Sequence, residues 1–173
     1  MRSKAENLLI VLNILSWIAF VGIAIKAGSV IISYVVSIGN PIASKNLYNG
    51  TDFSAYRELS FGHYTFIVLY RILFYVMQAY VAYLLTRLLS NLNIAKPFNA
   101  EVAELLQKIS IYILGVWVVA MLYNIHIAIL DKLYGIVPTY ISGDFIFFAG
   151  IVYVLAQLFK RGVEIQSENE LTV

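Results

Sequence analysis

Arg71 and Asp144 are ionisable residues set in otherwise apolar runs, where such a residue normally faces a partner or a wet cavity. Arg71 stands about seven residues beyond Tyr64, or roughly 10 Å along a helix. Asp144 stands about one turn into the last apolar run, which begins near Tyr140. Asn124, His126 and Asp131 end the preceding run and approach the same side of a bilayer from below. Together they would make an outward-facing polar pocket for an ion, a proton or a small ligand. Its centre would be an Arg71–Asp144 pair joined by His126. The alternative is a structural ion pair that fixes helix register, with Asp131 and Asp144 merely at helix ends near water. Polar contacts between membrane helices average only about 0.6 kcal/mol, so such a pair would supply specificity more than stability.

Enzymatic chemistry has no comparable support. His63 and His126 are the only histidines, and neither a His-x-x-x-His nor a Glu-x-x-His spacing occurs. Cysteine is absent, which excludes disulfides and thiolate metal sites. No glycine loop for phosphate and no nucleophile elbow is present. The expectation is a protein that is not an enzyme and needs no cofactor. A net charge of +2 is also too small for direct nucleic-acid binding.

The elements that must position these residues are membrane spans. Of 173 residues, 61% are hydrophobic and 13% charged, against about 25% charged in ordinary soluble domains. Mean hydropathy is +0.80. So small a body cannot hide that much apolar surface from water, and a lipid bilayer must cover part of it. About 20 apolar residues cross one hydrocarbon core, and four runs qualify, over residues 8–38, 64–89, 109–130 and 140–159. Pro41, Pro97 and Pro138 all fall between them, where a missing backbone donor does no harm. In lipid each run must satisfy its own backbone hydrogen bonds, so helices are required. The fold class expected is an all-α, integral-membrane four-helix bundle in one domain. Its first span is uncleaved, because Ile25-Lys26-Ala27 makes a poor signal-peptide cleavage site.

Residues 30–36 are β-branched enough to suit a short strand, but continued helix is favoured. Lys26 is expected to snorkel to the far interface. Positive charge sets the orientation. With the N-terminus inside, the inner segments carry Arg2, Lys4, Arg87, Lys96, Lys108, Lys160 and Arg161, against Lys45, Arg57 and Lys132 outside. Both termini are therefore expected in the cytoplasm, with Tyr34, Tyr64, Tyr134 and Tyr140 in an outer aromatic belt. The long outer loop, residues 39–63, holds the sequon Asn49-Gly50-Thr51, although Asn-Gly is also ordinary turn chemistry.

On the inner side, Lys96-Pro97-Phe98-Asn99 reads as a turn with Asn99 as helix N-cap. Glu101 and Glu104 then complement the helix dipole. Phe98, Val102, Leu105, Leu106 and Ile109 recur at helical spacing opposite Glu101, Glu104 and Lys108. The result is an amphipathic helix on the inner interface that runs into the third span, or else a docking surface for a partner. Residues 162–173 carry Glu164, Glu168 and Glu170 against no basic residue, which suits either a basic partner or a solvated helix end.

Residues 145–173, above all Leu158-Phe159-Lys160-Arg161-Gly162-Val163-Glu164-Ile165-Gln166-Ser167-Glu168-Asn169-Glu170-Leu171-Thr172-Val173, resemble the C-terminal signature of a bacterial family. That family is catalogued as domain-of-unknown-function family 2975. Lys96-Pro97-Phe98-Asn99 resembles its second hallmark. Glu170 stands where many relatives have aspartate, which preserves the charge. The resemblance implies a four-helix protein of the bacterial inner membrane with no established activity. It also implies a gene neighbourhood that includes a small helix-turn-helix transcriptional regulator. A membrane anchor, sensor or antagonist for that cytoplasmic DNA-binding regulator is thus one expectation. Its contact residues would be Phe98, Asn99, Glu101, Glu104, Glu164, Glu168, Asn169, Glu170 and Leu171. The other expectation is a small transporter or channel subunit built on Arg71, His126 and Asp144.

Overall fold

A computed structural model describes residues 4–48, 50–93 and 98–170, except for the side chains of Asn169 and Glu170. The long helices are α1 (Lys4–Gly39), α3 (Phe61–Asn91), α4 (Ala100–Tyr134) and α5 (Ile146–Glu170). A 3-10 turn (Pro41–Lys45) and the short helix α2 (Ser54–Leu59) lie between α1 and α3. Among the described residues no strand occurs. All four long helices are long and apolar enough to cross a membrane. The chain is a multi-pass, all-helical membrane protein.

Helix α1 shows why lipid is required. It is apolar on every side, and only 6% of its most hydrophobic window is buried. Such a helix has no polar face to offer water. It continues without a break through residues 30–36 to Gly39. There Asn40 caps the following turn, its Oδ1 accepting from Ile42 N at 3.1 Å.

Contacts divide the chain into two units. The first comprises residues 1–21, 79–115 and 144–173; the second comprises 22–78 and 116–143. In the first, Leu84 and Leu88 of α3 bury against Val102, Leu105 and Ile109 of α4, with Val152 and Phe159 of α5 packed on them. The apolar face predicted for the start of α4 is therefore turned onto protein. Its opposite face, Glu101, Glu104 and Lys108, is exposed.

In the second unit the loop after α1 supplies its own core. Leu47, Phe53 and Tyr56 are almost fully buried. Tyr64, expected in the aromatic belt, is also fully buried, and its hydroxyl lies 2.6 Å from Ser37 Oγ. Tyr134 and Tyr140 are exposed. Lys26 Nζ sits over the Tyr48 ring, 6.0 Å from its centroid. Gly50 has φ +80°, which supports turn chemistry there; Asn49 lies outside the described residues.

Helix α4 ends on Gly135, a left-handed C-terminal glycine (φ +67°) whose N–H reaches Asp131 O at 2.7 Å. The chain then stays irregular to Gly143, and the last helix begins at Ile146 rather than near Tyr140. The physical reason is Asn124. Its Oδ1 accepts from Ile141 N at 2.9 Å, and its Nδ2 donates to Ile141 O at 2.8 Å. One side-chain amide thus holds both backbone groups of Ile141, including the carbonyl that a helix begun near Tyr140 would use for its first hydrogen bonds. An Asn124→Leu variant should lose about 2 kcal/mol of stability, because it leaves a buried N–H and C=O unpaired. Reversible unfolding in mild detergent would measure this.

Candidate functional site

Asn99 opens one constellation in the first unit. Its Oδ1 accepts from Glu101 N at 2.7 Å and from Val102 N at 3.3 Å, the predicted cap. The cap fixes the first turn of α4 and aims Glu101 at α3. There the carboxylate meets Arg87 at 3.3 Å and Asn91 Nδ2 at 2.7 Å. Both charged side chains are half exposed, so solvent screens the pair to no more than about 1 kcal/mol.

Phe98, just ahead of the cap, reaches α5. Its ring lies 5.5 Å from that of Phe159. A Cβ placed on Gly162 would collide with the Phe98 ring, so the ring occupies the space a side chain would take. The predicted turn and the predicted tail are thus in contact. Nothing at Gly162 announced this beyond a lone glycine inside a helical run.

Beside this contact runs a groove of about 320 Å³ with a floor of Ala100, Ala103 and Ala156. Glu104, Lys160 and Glu164 line its rim. Glu104 pairs with Lys108 at 2.7 Å, and Glu164 pairs with Arg161 at 2.8 Å. Glu164 therefore has a basic partner just ahead of the stretch that seemed to lack one. Glu168 is exposed on the same helix. Asn169 and Glu170 belong to α5 by their backbone, but their side chains, like Leu171 and Lys96-Pro97, lie outside the described residues.

Arg71 and His126 belong to the second unit, and Asp144 belongs to the first. Arg71 Nη2 donates to the Tyr123 hydroxyl at 3.0 Å, and that hydroxyl donates to Thr139 O at 2.9 Å. The guanidinium also lies over the rings of Tyr123 and Phe53, at 4.7 and 5.8 Å. His126 Nε2 lies 3.0 Å from His63 Nδ1, and its ring also packs against Phe66 and Tyr70. Two imidazoles at this distance share one proton; one must be neutral to accept. Asp144 is exposed in the turn that precedes α5, not a turn inside the helix. A carboxylate there complements the helix dipole.

Tyr56 was not singled out by sequence reasoning. Burial, foremost, and the fields of Tyr123 and Asp131 push its phenol up to about 12. It stays neutral at any physiological pH. Among the described residues no three His, Asp or Glu side chains gather where a metal ion could sit.

Residues 43–173 match a family model described as Protein of unknown function (DUF2975). No curated protein and no solved structure matches the chain.

The Phe98 contact makes a direct prediction. Phe98→Ala and Gly162→Ala should be energetically coupled by about 0.5 kcal/mol or more in a double-mutant cycle. Unfolding of the two single variants and the double variant in detergent provides the measurement. Simple additivity would place the ring elsewhere.

Proposed function

The chain belongs to the DUF2975 family, and on that premise we propose that it is a non-enzymatic protein anchoring or modulating a cytoplasmic helix-turn-helix regulator. The membrane is the bacterial inner membrane, and both termini face the cytoplasm. One observation carries the reading: Phe98 of one family hallmark packs on Phe159 and Gly162 of the other. Two segments far apart in sequence thus build a single exposed face, with Glu101, Glu104 and Glu164 around it. A DNA-binding protein carries basic surface, to which such carboxylates are complementary. The excess of Lys and Arg on the segments flanking this face supports its cytoplasmic side. Reporter fusions at the two ends should both read cytoplasmic.

The capture itself is tested by co-purifying a helix-turn-helix regulator, taken from the gene neighbourhood that the family resemblance implies, with the detergent-solubilised full chain. Joint Glu104→Lys and Glu164→Lys substitution should lower recovery on the order of 10-fold. Recovery indifferent to these changes and to deletion of residues 162–173 would remove this face as the contact.

A second reading, a small transporter or channel subunit, draws on Arg71. Its Nε is buried without a hydrogen-bond partner among the described residues. Reconstituted protein should then show a flux that Arg71→Ala and Asp144→Ala abolish. Absence of flux, or flux indifferent to both changes, would dismiss this reading.

A further inference from the structure

Arg71 lies ten residues into α3, about 15 Å along the helix from Phe61. A cation inside a span requires compensation. Within its own unit, none of the described ion pairs involves Arg71. The aromatic rings of Tyr123 and Phe53 cover its guanidinium, and Nη2 is engaged by the Tyr123 hydroxyl. Its Nε–H is buried and without a partner among the described residues.

Arg71 also lines a small cavity of about 10 Å³. Its polar lining is Arg71, Thr51, Tyr48 and Tyr75, every one able to donate a proton; no carboxylate lines it. The same unit also holds two other buried donors without partners, the Tyr56 hydroxyl and Arg57 Nη1. Its formal charges lean the same way. Lys26, Lys45, Arg57, Arg71 and Lys132 outnumber Asp52, Glu58 and Asp131.

We propose that the cavity beside Arg71 binds a monatomic anion of the chloride class, held by Arg71 Nε–H and the hydroxyls of Thr51, Tyr48 and Tyr75. Size selects the class. A cavity of about 10–15 Å³ holds roughly one water molecule, so a halide fits with small adjustment and a carboxylate or phosphate does not. Charge selects an anion over water, since a neutral occupant would satisfy the donor but leave the guanidinium uncompensated.

The test uses the full chain in detergent at constant ionic strength. Sodium gluconate is replaced stepwise by sodium chloride or bromide while Tm is followed. A ligand that binds only the folded state raises Tm saturably. The expected result is a saturable rise with either halide and none with gluconate or sulfate. Arg71→Lys, which keeps a charge but loses the in-plane Nε–H, should need at least ~10-fold more halide. Should that variant fail to fold, chloride-35 NMR on the wild-type chain replaces it: line broadening that bromide displaces supports the site. Identical Tm in gluconate and chloride, an equal response to sulfate, an unweakened Arg71→Lys response, or no displaceable broadening would each overturn it.

Discussion

Lipid offers no hydrogen bonds, so every polar group that enters it must bring a partner along. Continuous helices meet this demand for the backbone, and the side chains meet it in short local loops of their own. Ser16 donates to Leu12 O four residues back, and Thr86 donates to Tyr83 O. Ser37 reaches Tyr34 O and shares a hydrogen bond with Tyr64. The irregular stretch before α5 obeys the same rule by a different route. Tyr123 and Asn124, neighbours on α4, take up Thr139 O and both backbone groups of Ile141. Side chains thus do for this stretch what a helix would have done.

Small residues set the second constraint, because helices in a membrane gain from close approach rather than from expelling water. In the first unit, Ser110 Oγ comes to 3.2 Å from Ala149 O, and Ala103 and Ala156 are buried. This proximity of α4 and α5 is what allows the Phe98 ring to rest on Gly162. The two segments are consequently one object: displacing Phe98 also uncovers Phe159. Glycine normally costs a helix up to about 1 kcal/mol relative to alanine. At residue 162 that cost is offset by the space it leaves for an aromatic ring.

Features with a local signal were legible in the sequence. The length of apolar runs gave the four helices, and a polar residue before a periodic stretch gave the Asn99 cap. The 3.6-residue spacing of Val102, Leu105 and Ile109 gave the buried face of α4. What was not legible depends on distant pairing. His63 and His126 meet across 63 positions, and Tyr64 is buried because Ser37 waits for its hydroxyl. Leu47, Phe53 and Tyr56 lie in the segment expected as a long outer loop, yet their few large side chains suffice to fold it. The late start of α5 likewise hangs on one asparagine in another helix, and no periodicity inside residues 135–145 could disclose it.

The identity of residue 71 follows from its surroundings. An ammonium is a compact, strongly hydrated charge, and stripping its water inside aromatic walls would be costly. A guanidinium is flat and more weakly hydrated; it can lie against the rings of Tyr123 and Phe53 while its N–H edges stay available. One edge is taken by the Tyr123 hydroxyl, which is itself tied to Thr139 and therefore not free to turn away. That second hydrogen bond matters. Because the phenol's own proton is committed to Thr139 O, its oxygen can only accept from Arg71. The arginine is thereby oriented by a chain of donors that begins at Nη2 and ends on a backbone carbonyl. A lysine would keep the charge and lose the orientation, and with it the fixed direction of the remaining Nε–H.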